Sequence, residues 1–334
     1  MQAAFPTYWV VPDPQQFVSG GNIFNHRLMT AARLLGATCK LIDPESVHEI
    51  AATHPESWFG WDSLFMKQAA AIGLSKQGRH HLIVHHLTSL WPPEGISGVE
   101  YFETYERHLV EPFSGFMATS SFTQRYLLER LGANKPCYVV EPGLSLTPKL
   151  ENPTPAPRLV AVMAANIVPR KGLKAFLEKW VESGASDFGI DLRIWGHTHF
   201  DEPYASSCLA LIRDGNLPVK IQPPISQEEW AQQLAEADFY LSTSEMESFG
   251  MALQEAASTG LPLLVLAGGY SAHHVTQGSV SLQVGDLFQT FCEWGKHPQA
   301  VRNMRTAPDP RRYASWEQSA EKWLAQIQYP QPER

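Results

Sequence analysis

The chain has 334 residues, 44% of them hydrophobic and 18% charged, which is enough to bury two cores at the usual one domain per ~150 residues. Its 34 acidic residues against 26 basic ones give a net charge of -8, which argues against a protein devoted to nucleic acid, because phosphate binding needs clustered Lys and Arg. No run of ~18 apolar residues could cross a bilayer, and no basic segment leads into an apolar one at the N-terminus, so a cytoplasmic location with at most peripheral membrane contact is expected. Cys39, Cys137, Cys208 and Cys292 are far apart and form no Cys-x-x-Cys pair, so buried free thiols are expected rather than disulfides or a zinc site.

In chain order, Tyr8 to Pro12 reads as a short buried strand, followed by a polar loop ending in Ser19-Gly20-Gly21 and an amphipathic helix from about Ile23 to Leu35. Ala37 to Ile42, Leu82 to His86, Gly115 to Thr119 and Cys137 to Val140 are the next predicted strands. Loops around 53–62 and 87–99 carry Trp58, Trp61 and Trp91, rings suited either to stacking on sugars or lipids or to packing in the core. Residues 144–157 form a proline-rich run that can continue neither a helix nor a central strand, and the domain boundary is placed there, between 150 and 151. The alternation then restarts with strands at Leu159 to Met163, Leu192 to Trp195, Phe239 to Ser242 and Leu261 to Leu266, and helices near 171–183, 203–214, 226–236 and 250–259. Tyr313 to Gln328 closes the chain as a helix with Trp316, Ala320, Trp323, Leu324 and Ile327 on one face. Alternating strands and helices predict an α/β fold of two Rossmann-like, doubly wound domains, with ligands at the carboxyl ends of the strands.

One such strand end carries the most informative segment, Ser244 to Ala256. Glu247 lies in a loop and Glu255 in the helix that Gly250 opens, with seven residues between the two carboxylates. A helix start offers unpaired N–H groups and a partial positive charge, a seat for a diphosphate, with Glu255 in reach of ribose hydroxyls and Glu247 of a sugar. Lys171, following Arg170 and preceding Gly172 after a buried strand, can set an ammonium against the leaving diphosphate. Gly20 and Gly21 allow close approach of backbone to a ligand. A histidine titrates near physiological pH, so His85 can donate, accept or transfer a proton, and His86 is its alternative, since a slip of one residue exchanges their faces. His197, His199 and Asp201 read as a polar loop rather than a metal cluster, and the chain has no Asp-x-Asp pair, so no metal and no other cofactor is expected.

Glu247-Ser-Phe-Gly250 with Glu255-Ala256 and Ser258-Thr-Gly-Leu-Pro262 closely resembles the donor-site signature, E-x7-E, of retaining glycosyltransferase family 4. Ala164 to Gly172, Gly268-Gly269, the Tyr313, Ser315, Trp316 end, and in the first half Ser19 to Gly21, Val84 to His86, Thr119-Ser120 and Glu141 to Gly143 are similar to the family's other landmarks, in order. One departure is that Ala165-Asn166 stands where the family has Gly-Arg. The resemblance implies a GT-B fold: residues 1–150 an acceptor domain, 151–312 a donor domain, 313–334 a helix crossing back to the first domain, and a cleft between the domains as the active site. It also implies a nucleotide-sugar donor, a carbohydrate, glycolipid or small-molecule acceptor, and transfer with retention. His85, Lys171 and Glu247 would be catalytic, and Gly20, Gly21, Asn166, Arg170, Phe249, Gly250, Met251 and Glu255 would bind the donor. A non-catalytic partner subunit and a nucleotide-sugar epimerase are the alternatives. The helix from His26 to Leu35 offers only Arg27 and Arg33, too few charges for stable attachment to an anionic membrane.

Overall fold

The computed structural model describes residues 5–13, 19–92, 99–146 and 157–328. It divides into two units, Met1–Gly143 with Ala314–Arg334, and Leu144–Tyr313. The expected boundary between residues 150 and 151 lies outside the described residues, as do positions 93–98 of the 87–99 loop.

Among the described residues the first unit contains a six-stranded sheet of β1 (Thr7–Val10), β2 (Cys39–Leu41), β3 (Trp58–Asp62), β4 (Arg79–Val84), β5 (Gly115–Ala118) and β6 (Cys137–Val139). Their order is β2-β1-β3-β4-β5-β6, and every pair is parallel. A parallel sheet is covered on both faces, so its central strands can be apolar at every position. On one face Tyr8, Val10, Phe59, Trp61, Leu82 and Val84 pack against Phe113 and Leu127. On the other, Trp9 and Trp58 meet Trp323 of the last helix, Trp316–Gln328, with ring centroids 5.0 and 5.2 Å away. That helix is tied down further by Arg79, which donates to the Ile327 carbonyl, and by Ser319 Oγ, which donates to the Glu141 carbonyl at 2.8 Å.

The expectation of a polar loop over 53–62 is corrected here. Trp58 to Asp62 is β3, hydrogen-bonded between β1 and β4, and Trp58 and Trp61 are fully buried. They are core side chains and not a sugar-stacking surface. The run Trp-Phe-Gly-Trp-Asp shows no apolar/polar alternation because both of its faces are covered, and its central Gly60 reads as a turn residue. Trp91 is half-buried just after a 3-10 turn, Thr88–Leu90.

The second unit repeats the plan with β7 (Leu159–Ala164), β8 (Ile190–Trp195), β9 (Val219–Gln222), β10 (Phe239–Ser242), β11 (Leu263–Leu266) and β12 (Gly278–Ser281). The order is β12-β11-β10-β7-β8-β9, again all parallel, which is the Rossmann strand order. β9 and β12 were not foreseen: they are edge strands, and sequences such as Val-Lys-Ile-Gln and Gly-Ser-Val-Ser lack the apolar run of a central strand. Helices Leu173–Glu182 and Val284–Lys296 cover one face, where Phe176, Trp180, Phe239, Phe288 and Phe291 form an aromatic cluster.

Strand order reverses direction between β1 and β3 in the first sheet and between β7 and β10 in the second. The loops leaving such neighbouring strands diverge to opposite faces of the sheet and leave a crevice at their carboxyl ends. Phe291 is completely buried among four aromatic rings. Phe291→Ala is therefore expected to cost about 3–5 kcal/mol, read as a shift in the urea denaturation midpoint; an unchanged midpoint would mean that this cluster is not what holds the second unit together.

Candidate active site

In the second unit the loops after β7 and β10 are bound to each other at the switch point. Ile167 donates its N–H to the His197 carbonyl at 2.9 Å, and the chain then turns through a 3-10 turn, Pro169–Lys171, into helix Leu173–Glu182. Thr243 Oγ1 donates to the Lys171 carbonyl at 2.6 Å, the Glu245 N–H to the Arg170 carbonyl at 3.1 Å, and the Arg170 guanidinium to the Met246 carbonyl at 2.7 Å. Gly172 sits in this seam with φ of +64°, and a Cβ on it would collide with the Thr243 carbonyl. Only glycine has both the left-handed backbone and the missing side chain that such contact needs.

The seam brings together Lys171 and Glu247, two of the charged residues singled out in the sequence, with Arg170 beside them. Lys171 Nζ donates to Glu247 Oε1 at 2.5 Å, with the side chains 16% and 13% exposed. Glu247 is held from the other side by the Gly268-Gly269 loop: its N–H donates to the Gly268 carbonyl at 3.2 Å, and its carbonyl accepts from the Tyr270 N–H at 2.8 Å. Burial pushes the Glu247 carboxyl up, but Lys171 and Arg170 more than offset this and hold it below its ordinary value of 4.5.

Phe249, Gly250 and Met251 lead into helix Met251–Ser258. Sequence reasoning missed the group that fixes them, His274, whose Nε2 lies 2.8 Å from the Phe249 carbonyl and donates to it. Burial lowers the His274 pKa to about 4, so the ring is neutral at pH 7. Because the peptide unit is planar and trans, a Phe249 carbonyl turned to His274 aims the Gly250 N–H the opposite way. Phe249 itself is buried and stacked on Tyr270, centroids 5.6 Å apart.

Glu255 stands on the same helix but does not join the Lys171–Glu247 pair. Its Oε1 accepts from Gln227 Nε2 at 2.9 Å and its Oε2 from Trp230 Nε1 at 3.1 Å, both on helix Gln227–Glu236. Asn166 accepts the His197 N–H at 3.1 Å through its side-chain oxygen and so ties the β7 loop to the β8 loop. His197 and His199 stack edge-on at 4.7 Å, and among the described residues no group of three or more His, Cys, Asp or Glu side chains is placed to hold a metal ion.

In the first unit Gly20 and Gly21 open helix Gly20–Leu34, whose N-cap Ser19 Oγ accepts the Asn22 N–H at 3.2 Å. His85 follows β4 directly; its ring is 2.8 Å through Nε2 from Asn25 Oδ1, and His86 is exposed. Of the two histidines, His85 is the one built into the polar groups at this switch point.

Two parallel, doubly wound Rossmann-like sheets make this an α/β protein of GT-B fold. Residues 149–288, which include the whole Lys171–Glu247 seam, match the family model described as glycosyl transferases group 1. No curated protein matches the sequence. Among solved structures the chain is similar to sucrose-phosphate synthase from Thermosynechococcus elongatus, at a TM-score of 0.75 and 15% identity over 96% of this chain and 97% of that one. It is also similar to HepE of Anabaena, solved with UDP and glucose, at a TM-score of 0.74 and 12% identity over 98% and 100%. A third is a glycosyltransferase from Rickettsia africae, at 0.66 and 16% over 97% of each chain. The match and the fold together support a glycosyltransferase. No helix among the described residues is long and apolar enough to cross a membrane.

The depressed Glu247 pKa fixes a pH dependence. A carboxyl bound below its unfolded value contributes stability that is full above about pH 4.5 and is lost as pH falls through the folded value. Glu247→Gln should cost roughly 2 kcal/mol at pH 7, because it leaves the Lys171 ammonium without its counter-charge in a mostly buried place. It should also lose less than wild type between pH 5 and pH 3. Urea midpoints across that range measure both, and parallel pH profiles would show that the pair is not ionic in the folded protein.

Proposed function

We propose that the chain is a retaining glycosyltransferase that moves a sugar from a nucleoside diphosphate sugar to an acceptor hydroxyl without a metal ion. The observation that carries this reading is the Lys171–Glu247 pair at the β7/β10 switch point, inside the segment that matches glycosyl transferases group 1. Leu144–Tyr313 is assigned the donor and the first unit the acceptor. Lys171, with Arg170 beside it, offsets the charge that grows on the leaving diphosphate, and the N–H groups at Gly250 and Met251 add the partial positive end of a helix. Glu247 orients the donor sugar, and Glu255, braced by Gln227 and Trp230, accepts ribose hydroxyls. His85 is assigned to sugar hydroxyls.

In the proposed step the bond between the anomeric carbon and the phosphate oxygen breaks with its electron pair going to the diphosphate. The acceptor oxygen bonds to that carbon on the same face, and its proton passes to the leaving phosphate oxygen. No carboxylate need attack the sugar, so a covalent glycosyl-enzyme is not invoked. One observation favours a second reading, a partner subunit that binds donor without catalysis: Asn166, in place of the arginine, uses its carbonyl oxygen on His197 and brings no charge.

Thermal shift with UDP, GDP, ADP and their sugar conjugates, in chelator, tests the donor site. A ligand at ~100 times its dissociation constant adds about 2.7 kcal/mol of stability. UDP heads the panel because HepE and the pneumococcal O-GlcNAc transferase GtfA were both solved with it. Selective stabilisation by one nucleotide, lost in Lys171→Ala and Glu255→Ala, is the expected result, and silence across the panel would remove the transferase reading. With the donor in hand, NMR of the product gives the anomeric configuration, retention being expected. Binding without transfer to any acceptor would favour the partner subunit, and conversion of the donor without an acceptor the epimerase.

A further inference from the structure

The first unit buries a chain of three polar side chains at its own switch point, where the loops after β1 and β3 diverge. Asn25, fully buried in helix Gly20–Leu34, donates through Nδ2 to Asp62 Oδ2 at 2.7 Å. Asp62, 1% exposed at the end of β3, accepts the Leu64 N–H on its other oxygen at 2.9 Å. His85 brings Nε2 to 2.8 Å from Asn25 Oδ1 and 3.6 Å from Asp62 Oδ2. The neighbouring Ser63 hydroxyl accepts the backbone N–H groups of His85 and His86 at 3.3 and 3.4 Å.

The chemistry of these groups leaves one arrangement of protons. Both Asp62 oxygens accept, so Asn25 must present its NH2 to Asp62 and its carbonyl oxygen to His85. A carbonyl oxygen only accepts, so the His85 nitrogen facing it must carry hydrogen. The remainder of the ring is fixed sterically. Phe24 packs edge-on at 5.2 Å, and Gly21 lies against the Cγ–Cδ2 edge so closely that a Cβ there would be 2.7 Å from Cγ. Gly21, Phe24 and Asn25, all in the first turns of one helix, therefore grip the Cδ2–Nε2 side. Burial draws the His85 pKa below its ordinary 6.5, with Asp62 opposing, so the imidazole is neutral at pH 7.

We propose that Asn25 and Asp62 are positioning residues that hold His85 as the Nε2–H imidazole, so that Nδ1 is the nitrogen it offers, as a hydrogen-bond acceptor, to a hydroxyl of a sugar substrate. The inference deepens, and rests on, the assignment of His85 to sugar hydroxyls. Three buried polar groups add no more stability than well-packed apolar ones would, so what the network supplies is the direction and protonation of the ring. Among the described residues Asp62 is the charged group acting on His85.

The test is a two-dimensional 15N–1H spectrum of the full-length protein labelled with 15N-histidine, without nucleotide, with His85→Gln to assign the resonance. Wild type at pH 7 should show a protonated Nε2 and a bare Nδ1. Asn25→Leu and Asp62→Asn, the second of which frees the Asn25 amide to turn over, should each move His85 toward a mixture of tautomers. Asn25→Asp, which adds a carboxylate, should raise the pH at which the imidazolium appears. A wild-type spectrum showing Nδ1–H, or an imidazolium at pH 7, would overturn the proposal even if no variant folds, and so would an unchanged tautomer in both Asn25→Leu and Asp62→Asn. Since the spectrum needs no donor, failure of every nucleotide to bind would end the transferase reading without altering this result, and the reverse also holds.

Discussion

An open parallel sheet wound in one direction only would carry all its right-handed crossovers on one face, so to cover both faces the chain must return to the middle and continue outward on the other side. That constraint places β1 beside β3 and β7 beside β10, and it sends the loops after them to opposite faces. Strand ends that diverge leave backbone groups unpaired where no helix covers them, and those groups must find partners in loops, side chains or ligand. In the second unit the answer is the seam of hydrogen bonds from Thr243, Glu245 and Arg170. In the first, Asp62 takes the Leu64 N–H and the Ser63 hydroxyl takes those of His85 and His86, beside the Asn25–Asp62–His85 chain. Both switch points concentrate polar groups because the topology forbids their being closed by the sheet itself.

The polar groups at the two places differ in kind. At β7/β10 a full ion pair, Lys171 with Glu247, is held mostly out of water, and each partner is dear to bury without the other. At β1/β3 one buried carboxylate, Asp62, is joined to two neutral side chains by directional hydrogen bonds that choose one tautomer. An ion pair is suited to receive a ligand that carries charge, because either partner can exchange its counter-ion for one of equal sign on the ligand. A network of directional hydrogen bonds is suited to present one donor or acceptor at a set angle. That difference fits the roles proposed for them, a diphosphate at β7/β10 and a sugar hydroxyl at β1/β3.

Much of this was legible in the sequence where the signal was local. Lys171-Gly172 and the Glu247 to Glu255 segment carry their spacing on their face, and strands such as Leu159–Ala164 and Leu263–Leu266 are apolar at every position, as doubly covered parallel strands must be. What failed was whatever depends on a neighbour distant in the chain. β3 carries no alternation to read, and its Trp58 is buried by Trp323, more than 260 residues away in sequence. Asn25 sits unremarked between apolar residues of a helix until Asp62 and His85 are brought to it. The partners of Glu255, Gln227 and Trp230 on a different helix, likewise cannot be read from its own segment. A buried Asn in the middle of an apolar helix face, such as Asn25 between Phe24 and Leu28, is the one local clue that could have been used, because such a group must have a polar partner somewhere.

Asn166 bears on how the proposed donor would be held. With Asn166 a neutral residue that ties one loop to another, and with Arg170 donating to the Met246 carbonyl, the ammonium of Lys171 is the cation of this seam paired to a carboxylate. A diphosphate reaching Lys171 must draw it from Glu247 or share it, so the approach of phosphate and the release of Glu247 are one event. Glu247, once released, is a carboxylate in a nearly water-free place, and the hydroxyls of the donor sugar are the donors nearest to hand on the same molecule. On this reading the pair is a means by which one half of the donor exposes the contact required by the other half. It also gives a free nucleoside diphosphate a penalty that the full sugar nucleotide does not bear: both separate Lys171 from Glu247, but only the sugar nucleotide brings hydroxyls to the carboxylate left behind.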